Sequence, residues 1–243
     1  MKHPGFALTR TALLALFFYG ALVFFSCSTV PVKRGRTAPP AEGPEISSLP
    51  TPPVRPVPEV PLCILGNGLI PADTLAGFLG EMNPQADRDQ AERLAALYTE
   101  EAAAEGVNHD VAFAQMCLET GFLRYGGLVT PDMNNFCGLG AIGLNQPGER
   151  FPEPRIGVRA HIQHLKAYAT DSPLNRELVD PRYRWVRYGS APTIGGLSGA
   201  WAADRDYGKK IESILERLYR YGYAESLDNL KGKPGEVAGK EGV

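Results

Sequence analysis

The sequence predicts an α+β domain that is predominantly α-helical, with one small β-like lobe. Two observations carry this. Apolar residues recur at helical spacing in five separate runs between Leu75 and Tyr221, whereas alternating strand patterns are sparse. The residues between Met133 and Phe151 are rich in Gly, Asn and Pro and break that helical rhythm. No internal repeat, phosphate-binding glycine loop or GxSxG elbow is present, so nucleotide-binding and serine-hydrolase folds are set aside.

The chain of 243 residues divides by composition into four parts. In residues 1–26, Lys2, His3 and Arg10 precede an apolar run from Thr11 to Phe25, the pattern of an export signal. The Phe-Phe-Ser-Cys that ends it resembles a bacterial lipobox, with Phe24 where Leu is usual, so Cys27 is the expected lipid anchor. Plain secretion or an uncleaved anchor are the competing readings. Residues 27–61 hold ten prolines and no apolar periodicity, which predicts an extended tether of roughly 3 Å per residue. The domain follows at 62–226. Residues 227–243 lack apolar periodicity and are expected to be disordered.

Within the domain, Leu75–Met82 predicts a short helix capped by Asp73 or Thr74. The Ala-, Glu- and Leu-rich stretch after Gln85 predicts a longer one that stops at Gly106. Asn108 offers an N-cap to a third helix, which ends with Glu119 just before Gly121. Leu144–Pro154 reads as loop. Gly157–Thr170 returns to helix, and Trp201–Tyr221 closes the domain with a stripe of Ile211, Ile214, Leu215 and Leu218.

A net charge of -2 gives no field to gather nucleic acid, and those partners are excluded. Cys63, Cys117 and Cys137 allow one internal disulfide at most; Cys117 and Cys137 are either bridged or small buried thiols. His161 and His164 lie one helical turn apart, a spacing found in zinc sites, but no HExxH and no third ligand accompany them. Packed or surface histidines are the default, with no metal and no organic cofactor expected. The aromatic and basic residues of Asp180–Tyr188 either stack on a ligand or pack internally.

Glu119 draws attention by its position. A helix ends with unpaired carbonyls and partial negative charge, which disfavours an ionised carboxylate. Desolvation by Phe113, Met116 and Phe122 would push in the same direction and suit the group to general-acid work. A solvated glutamate in a last turn is the plain alternative.

Three ordered blocks then carry a resemblance. Ala114–Gly121, reading AQMCLETG, resembles the AQ-x-x-LE-[ST]-G motif of the bacterial glucosaminidase domain, glycoside hydrolase family 73. Asn134–Gly140, NNFCGLG, is similar to its NN-x-FG-x-K, and Trp201–Ile211 to its W-A-x-D-x-x-Y-x-x-K-I. The resemblance implies a lysozyme-like fold and a peptidoglycan hydrolase cleaving the N-acetylglucosaminyl linkage. It puts the catalytic acid at Glu119 and the cleft-lining turn at Asn135 and Phe136, and it places Trp201 and Tyr207 beside the sugar. Gln115, one turn before Glu119, would orient the acid or bind substrate. The second catalytic group is left among Glu149, Glu153 and the substrate's own acetamide, with Asp132 earlier in the chain. The family's Lys after the turn is replaced by the Gly140–Ala141 region, and GFLRYGG stands where Gly-Trp-Gly is usual. A lytic transglycosylase or muramidase, and a non-catalytic wall-binding lipoprotein, are the alternatives. The expected partners are peptidoglycan glycan strands and, through the lipidated N-terminus, a membrane of the cell envelope; the chain is expected to act as a monomer.

Overall fold

The computed structural model of the chain describes residues 59–231. The export signal, Cys27, the tether up to residue 58 and residues 232–243 lie outside the described residues. Five helices carry the described part: α1 (Ala72–Met82), α2 (Arg88–Glu105), α3 (His109–Thr120), α4 (Pro154–Ala169) and α5 (Tyr207–Lys231). Short 3-10 turns at Pro131–Met133, Tyr183–Trp185 and Ile194–Leu197 punctuate the connections. The described part is mostly helical, as the sequence predicts.

The centre of the fold is α3, which packs against α2, α4 and α5. Val111, Ala112, Phe113, Ala114, Met116 and Cys117 are all buried, so the helix is apolar on nearly every side, as a helix enclosed by others must be. Its N-terminus is fixed twice. The Asn108 side chain accepts from the backbone N–H groups of Asp110 and Val111. The buried Asp110 carboxylate accepts from Leu69 N–H at 2.7 Å, Ile70 N–H at 3.2 Å and the Tyr219 hydroxyl at 2.7 Å, tying the preceding loop and α5 to the same point. Phe78, Phe113 and Phe136 are buried in the same core, each contributing roughly 1.5–3 kcal/mol by removal from water. Tyr98 meets Phe113 edge to face with ring centroids 5.7 Å apart.

Boundaries differ from the sequence expectation in four places. Helix α1 starts at Ala72 with Pro71 at its N-cap, so Asp73 sits inside the first turn, where the helix dipole favours a carboxylate, instead of capping it. Helix α4 starts at Pro154, because proline at N1 gives up no hydrogen bond. Trp201 precedes α5 and belongs to a turn in which its N–H reaches Leu197 O at 2.9 Å. The helix then continues to Lys231, through the first residues of the segment expected to be disordered. Ahead of that segment it packs on α1 and the loop before it: the Tyr221 ring lies 5.9 Å from Phe78, and Gly222 faces Ile70 and Thr74.

The lobe between Met133 and Phe151 contains no strand. Its pairing consists of a Gly143–Gln146 bridge and scattered backbone bonds, among them Ile142 N–H to Gln146 O at 3.1 Å, Glu149 N–H to Leu139 O at 2.8 Å and Phe151 N–H to Met133 O at 2.9 Å. Cys117 and Cys137 are free, buried thiols, and Cys63 is exposed.

A buried ion pair joins α2 to α4, with Lys166 Nζ 2.8 Å from Glu105 Oε2. The same carboxylate accepts from the backbone N–H groups of Asn175 and Arg176, which fixes the loop after α4. Between α3 and the lobe the chain makes a left-handed turn, in which Phe122, Leu123 and Tyr125 have φ of 58°, 62° and 54°. Such backbone costs an L-residue roughly 1–2 kcal/mol. Outside contacts hold it: Asn83 Nδ2 donates to Phe122 O at 2.8 Å, and Arg124 reaches Met82 O at 2.6 Å.

Candidate active site

Helix α3 places Gln115 and Glu119 one turn apart on one face, with Gln115 wholly buried and Glu119 at the last turn. Gly121 closes the helix in the left-handed conformation, φ 58°, which lets the chain leave at once and keeps one edge of Glu119 open to solvent. The carboxyl itself is crowded by protein atoms. That partial withdrawal from water pushes its pKa up, while two hydrogen bonds pull the other way.

Both bonds fall on Oε1. The Tyr207 hydroxyl donates to it, and Trp201 Nε1–H donates at 3.1 Å. Burial, then the facing Glu119, hold the Tyr207 phenol far above its ordinary range, so it serves as a donor and not as a base. Gln115 Nε2 donates to the Tyr207 oxygen at 2.8 Å, and Gln115 Oε1 lies 3.0 Å from His161 Nε2. His161 Nδ1 is in turn 2.8 Å from the Tyr98 hydroxyl. Burial, with His164 nearby, lowers His161 to about 3, so its ring is neutral.

Trp201 is seated on α4. Its ring centroid lies 5.7 Å from His161, 5.1 Å from His164 and 5.7 Å from Tyr168. The Tyr168 hydroxyl donates to Ala200 O at 2.9 Å, and His164 Nδ1 is 2.7 Å from the buried Asp180 carboxylate. The two histidines thus lie on one helix face, as their spacing implies, but beneath an indole. Among the described residues no group of three or more His, Cys, Asp or Glu is arranged to hold a metal ion.

The opposite wall is the Asn-Asn-Phe turn. Asn134 takes φ 52°, a conformation that Asn tolerates better than most residues. Every polar atom of the Asn135 side chain is used within the turn: Oδ1 accepts from Leu139 N–H at 2.9 Å, and Nδ2 donates to Leu139 O at 2.9 Å and Glu149 O at 3.0 Å. This lays Gly138 against the acid, where a Cβ would begin 3.4 Å from Glu119 Oε2. A Cβ at Gly140 would begin 3.0 Å from Glu149 Oε1. Glu119 and Glu149 therefore border glycines two residues apart, a span of at most about 7 Å along the turn. Glu149 also lies 3.5 Å from the Arg182 guanidinium, which stacks 4.1 Å above the exposed Trp185 ring.

A cleft of about 170 Å³ opens between the end of α3 and this turn, lined by Glu119, Tyr125, Val129, Asn135 and Gly138 among others. It is smaller than a hollow of about 390 Å³ between α1 and α2, but that hollow lacks the polar convergence found around Glu119. The Tyr125 hydroxyl is buried with no hydrogen-bond partner, and burial pushes it up to about 12. Tyr125→Phe removes that unsatisfied group, and an increase in stability of about 1 kcal/mol is expected in denaturant unfolding.

The structure brings Gln115, Glu119, Asn135, Glu149, Trp201 and Tyr207 to one place. It does not bring all the expected residues there. Phe136 is buried in the core beneath the turn and does not face the cleft; its ring packs close to Gly157. Glu153 is the exposed N-cap of α4, and the contacts that tie Glu149 to the glycine turn do not extend to it. Asp132 is paired with Arg150 on the surface. Gln115 is too deeply buried to bind substrate and orients Tyr207 instead. Sequence reasoning missed Tyr98 and Tyr125. Their only signal was an aromatic at a core position and one in a glycine-flanked turn.

A family model described as mannosyl-glycoprotein endo-beta-N-acetylglucosaminidase matches residues 95–220, a span that contains every residue of the polar chain from Tyr98 to Tyr207. An uncharacterized protein of Borreliella burgdorferi is 41% identical over 161 residues, covering 66% of this chain and 79% of the relative. No solved structure matches.

Proposed function

The chain belongs to the glucosaminidase family, and from that premise we propose that it is a peptidoglycan hydrolase that cleaves the N-acetylglucosaminyl linkage with Glu119 as general acid. The observation that carries the proposal is the state of Glu119: a carboxyl with its pKa raised by burial, one oxygen occupied by Tyr207 and Trp201, and the other beside Gly138 at the cleft. A protonated Oε2 there can deliver its proton to the glycosidic oxygen as the bond breaks.

Glu149 is the second carboxylate in this reading, activating water or attacking the sugar from the glycine turn. The alternative is attack by the substrate's own acetamide, a recognised route in other glycosidases. Glu149→Gln separates them. A loss of about 100-fold or more in turnover is expected if Glu149 acts in the reaction, and little change if the acetamide does.

Mass spectrometry of products from purified peptidoglycan tests the reaction itself. Reducing N-acetylglucosamine ends are expected. Anhydro ends would assign a lytic transglycosylase instead, and retention on the wall without soluble product would assign a binding protein.

We also propose that the protein is exported and held at the cell envelope by a lipid on Cys27, with the proline-rich segment spacing the domain from the membrane. The export pattern of residues 1–26 and the cysteine that ends it support this. Detergent partitioning is expected for the wild type and lost in Cys27→Ala; equal partitioning of both would refute it.

A further inference from the structure

The bonds behind Glu119 have a direction that follows from counting hydrogens. The Tyr207 hydroxyl has one hydrogen, and it goes to Glu119 Oε1, so the Tyr207 oxygen must accept from the Gln115 amide N–H. That turns Gln115 Oε1 toward His161 Nε2, which must then carry a hydrogen. A neutral ring protonated at Nε2 has a bare Nδ1, and the Tyr98 hydroxyl donates to it. Every donor in the chain from Tyr98 to Tyr207 therefore points toward the acid. Trp201, packed on the same His161, adds a second donor to the same oxygen.

We infer that this directed chain decides which oxygen of Glu119 carries the catalytic proton, assigning it to Oε2 at the cleft, and that Tyr98 and His161, neither of which reaches the cleft, are positioning residues for the acid. The inference rests on the reading of Glu119 as the acid. With two donors on Oε1, a proton there would meet donors and no acceptor, whereas Oε2 faces Gly138 with no side chain in the way. If the chain were reversed, Oε1 would donate to Tyr207, Tyr207 to Gln115, and His161 Nδ1–H to Tyr98. The ring tautomer of His161 thus reports the direction of the whole chain.

Few other titratable groups bear on it. Tyr98 on α2 and His164 on α4 face His161, with Gln115 and Trp201 completing its surroundings. Cys137, Tyr207 and Tyr125 lie about Glu119, all pushed up by burial and so uncharged near neutrality, and the Glu149–Arg182 pair stands across Gly140. Cys117 also faces Tyr98, and burial pushes it up as well.

The test uses the full chain and does not require turnover. Nitrogen NMR of the His161 ring is expected to show hydrogen on Nε2 and none on Nδ1 at neutral pH. Hydrogen on Nδ1, or an imidazolium, overturns the inference.

Tyr98→Phe and His161→Phe provide the second measurement, a carbon NMR titration of the Glu119 carboxyl. Either variant frees Gln115 to turn its amide and draw the Tyr207 hydroxyl away from Glu119. Losing a donor disfavours the ionised form, so the midpoint should rise by about half to one pH unit, the equivalent of one hydrogen bond. The alkaline limb of kcat should move up with it, and kcat should fall several-fold with KM unchanged. A midpoint that stays in place in a variant whose melting shows a cooperative fold overturns the inference. Should both variants fail to fold, the wild-type tautomer decides alone. A wild type that cleaves no peptidoglycan refutes the proposed function, while the tautomer and titration still decide the direction of the chain.

Discussion

Glu119→Gln is expected to lower the release of soluble fragments from peptidoglycan by about 10²- to 10⁴-fold, the usual contribution of a general acid. Glutamine keeps an oxygen to accept from Tyr207 and Trp201, so the cleft should keep its shape, and the loss would be one of chemistry. Stability should move in the opposite sense, with a sign that depends on pH. The folded carboxyl titrates above its unfolded value, so the wild-type residue contributes most below that unfolded value, near ~4.3. Its contribution is lost as pH rises through the folded midpoint, above which an ionised group stays partly withdrawn from water. The uncharged amide has no such dependence. The melting temperature of the variant relative to wild type should therefore rise from acid to neutral pH; a constant difference, or one of opposite slope, would remove the case for a perturbed acid.

The position of Glu119 was legible in the sequence because its signals are local. Asn108 and Gly121 fix the ends of α3, and the apolar positions between them leave Glu119 at the last turn. The glycine turn was legible as a turn, though not as the bearer of Glu149, because the approach of Glu149 to Gly140 depends on the pairing of Glu149 N–H with Leu139 O. The polar chain was not legible at all. Tyr98 and His161 are 63 positions apart and meet only because α2 and α4 pack directly against one another. Helical spacing said that His161 and His164 share a face, and it could not say what lies opposite that face, where an indole stands in place of a metal. Phe136 erred for a related reason: the motif places it in a turn at the cleft, while the alternation of side chains through that turn sends its ring down into the core. The C-terminal helix keeps its tertiary packing through Tyr221 on Phe78 and Gly222 beside Ile70 and Thr74, and runs on to Lys231, past its expected end.

Gly157→Ala should be the most destabilising small substitution in the domain, and its cause links the fold to the site. Alanine in a helix is normally favoured over glycine by about 1 kcal/mol. At position 157, however, a Cβ would fall 1.8 Å from Asn134 O and 3.4 Å from the Phe136 ring. The first contact is with backbone, which has no rotamer to yield, so α4 and the Asn134–Phe136 turn must separate. Overpacking of this kind outweighs the helix preference, and a net loss of about 3 kcal/mol is expected in denaturant unfolding. Gly80→Ala in α1 is the control. A Cβ there meets nothing within 4 Å, so the same substitution should stabilise by about 0.5–1 kcal/mol. Opposite signs for one chemical change would place the cause in the contact between α4 and the turn. Activity should follow that contact as well. Separating them shifts Asn135 and Gly138 at the cleft and, behind Glu119, the α4 residue His161 with the Trp201 ring packed on it, so Gly157→Ala should lower kcat under conditions where it remains folded, while Gly80→Ala should leave it unchanged. Equal kcat in the two variants would mean that the turn holds its place beside Glu119 without α4 behind it.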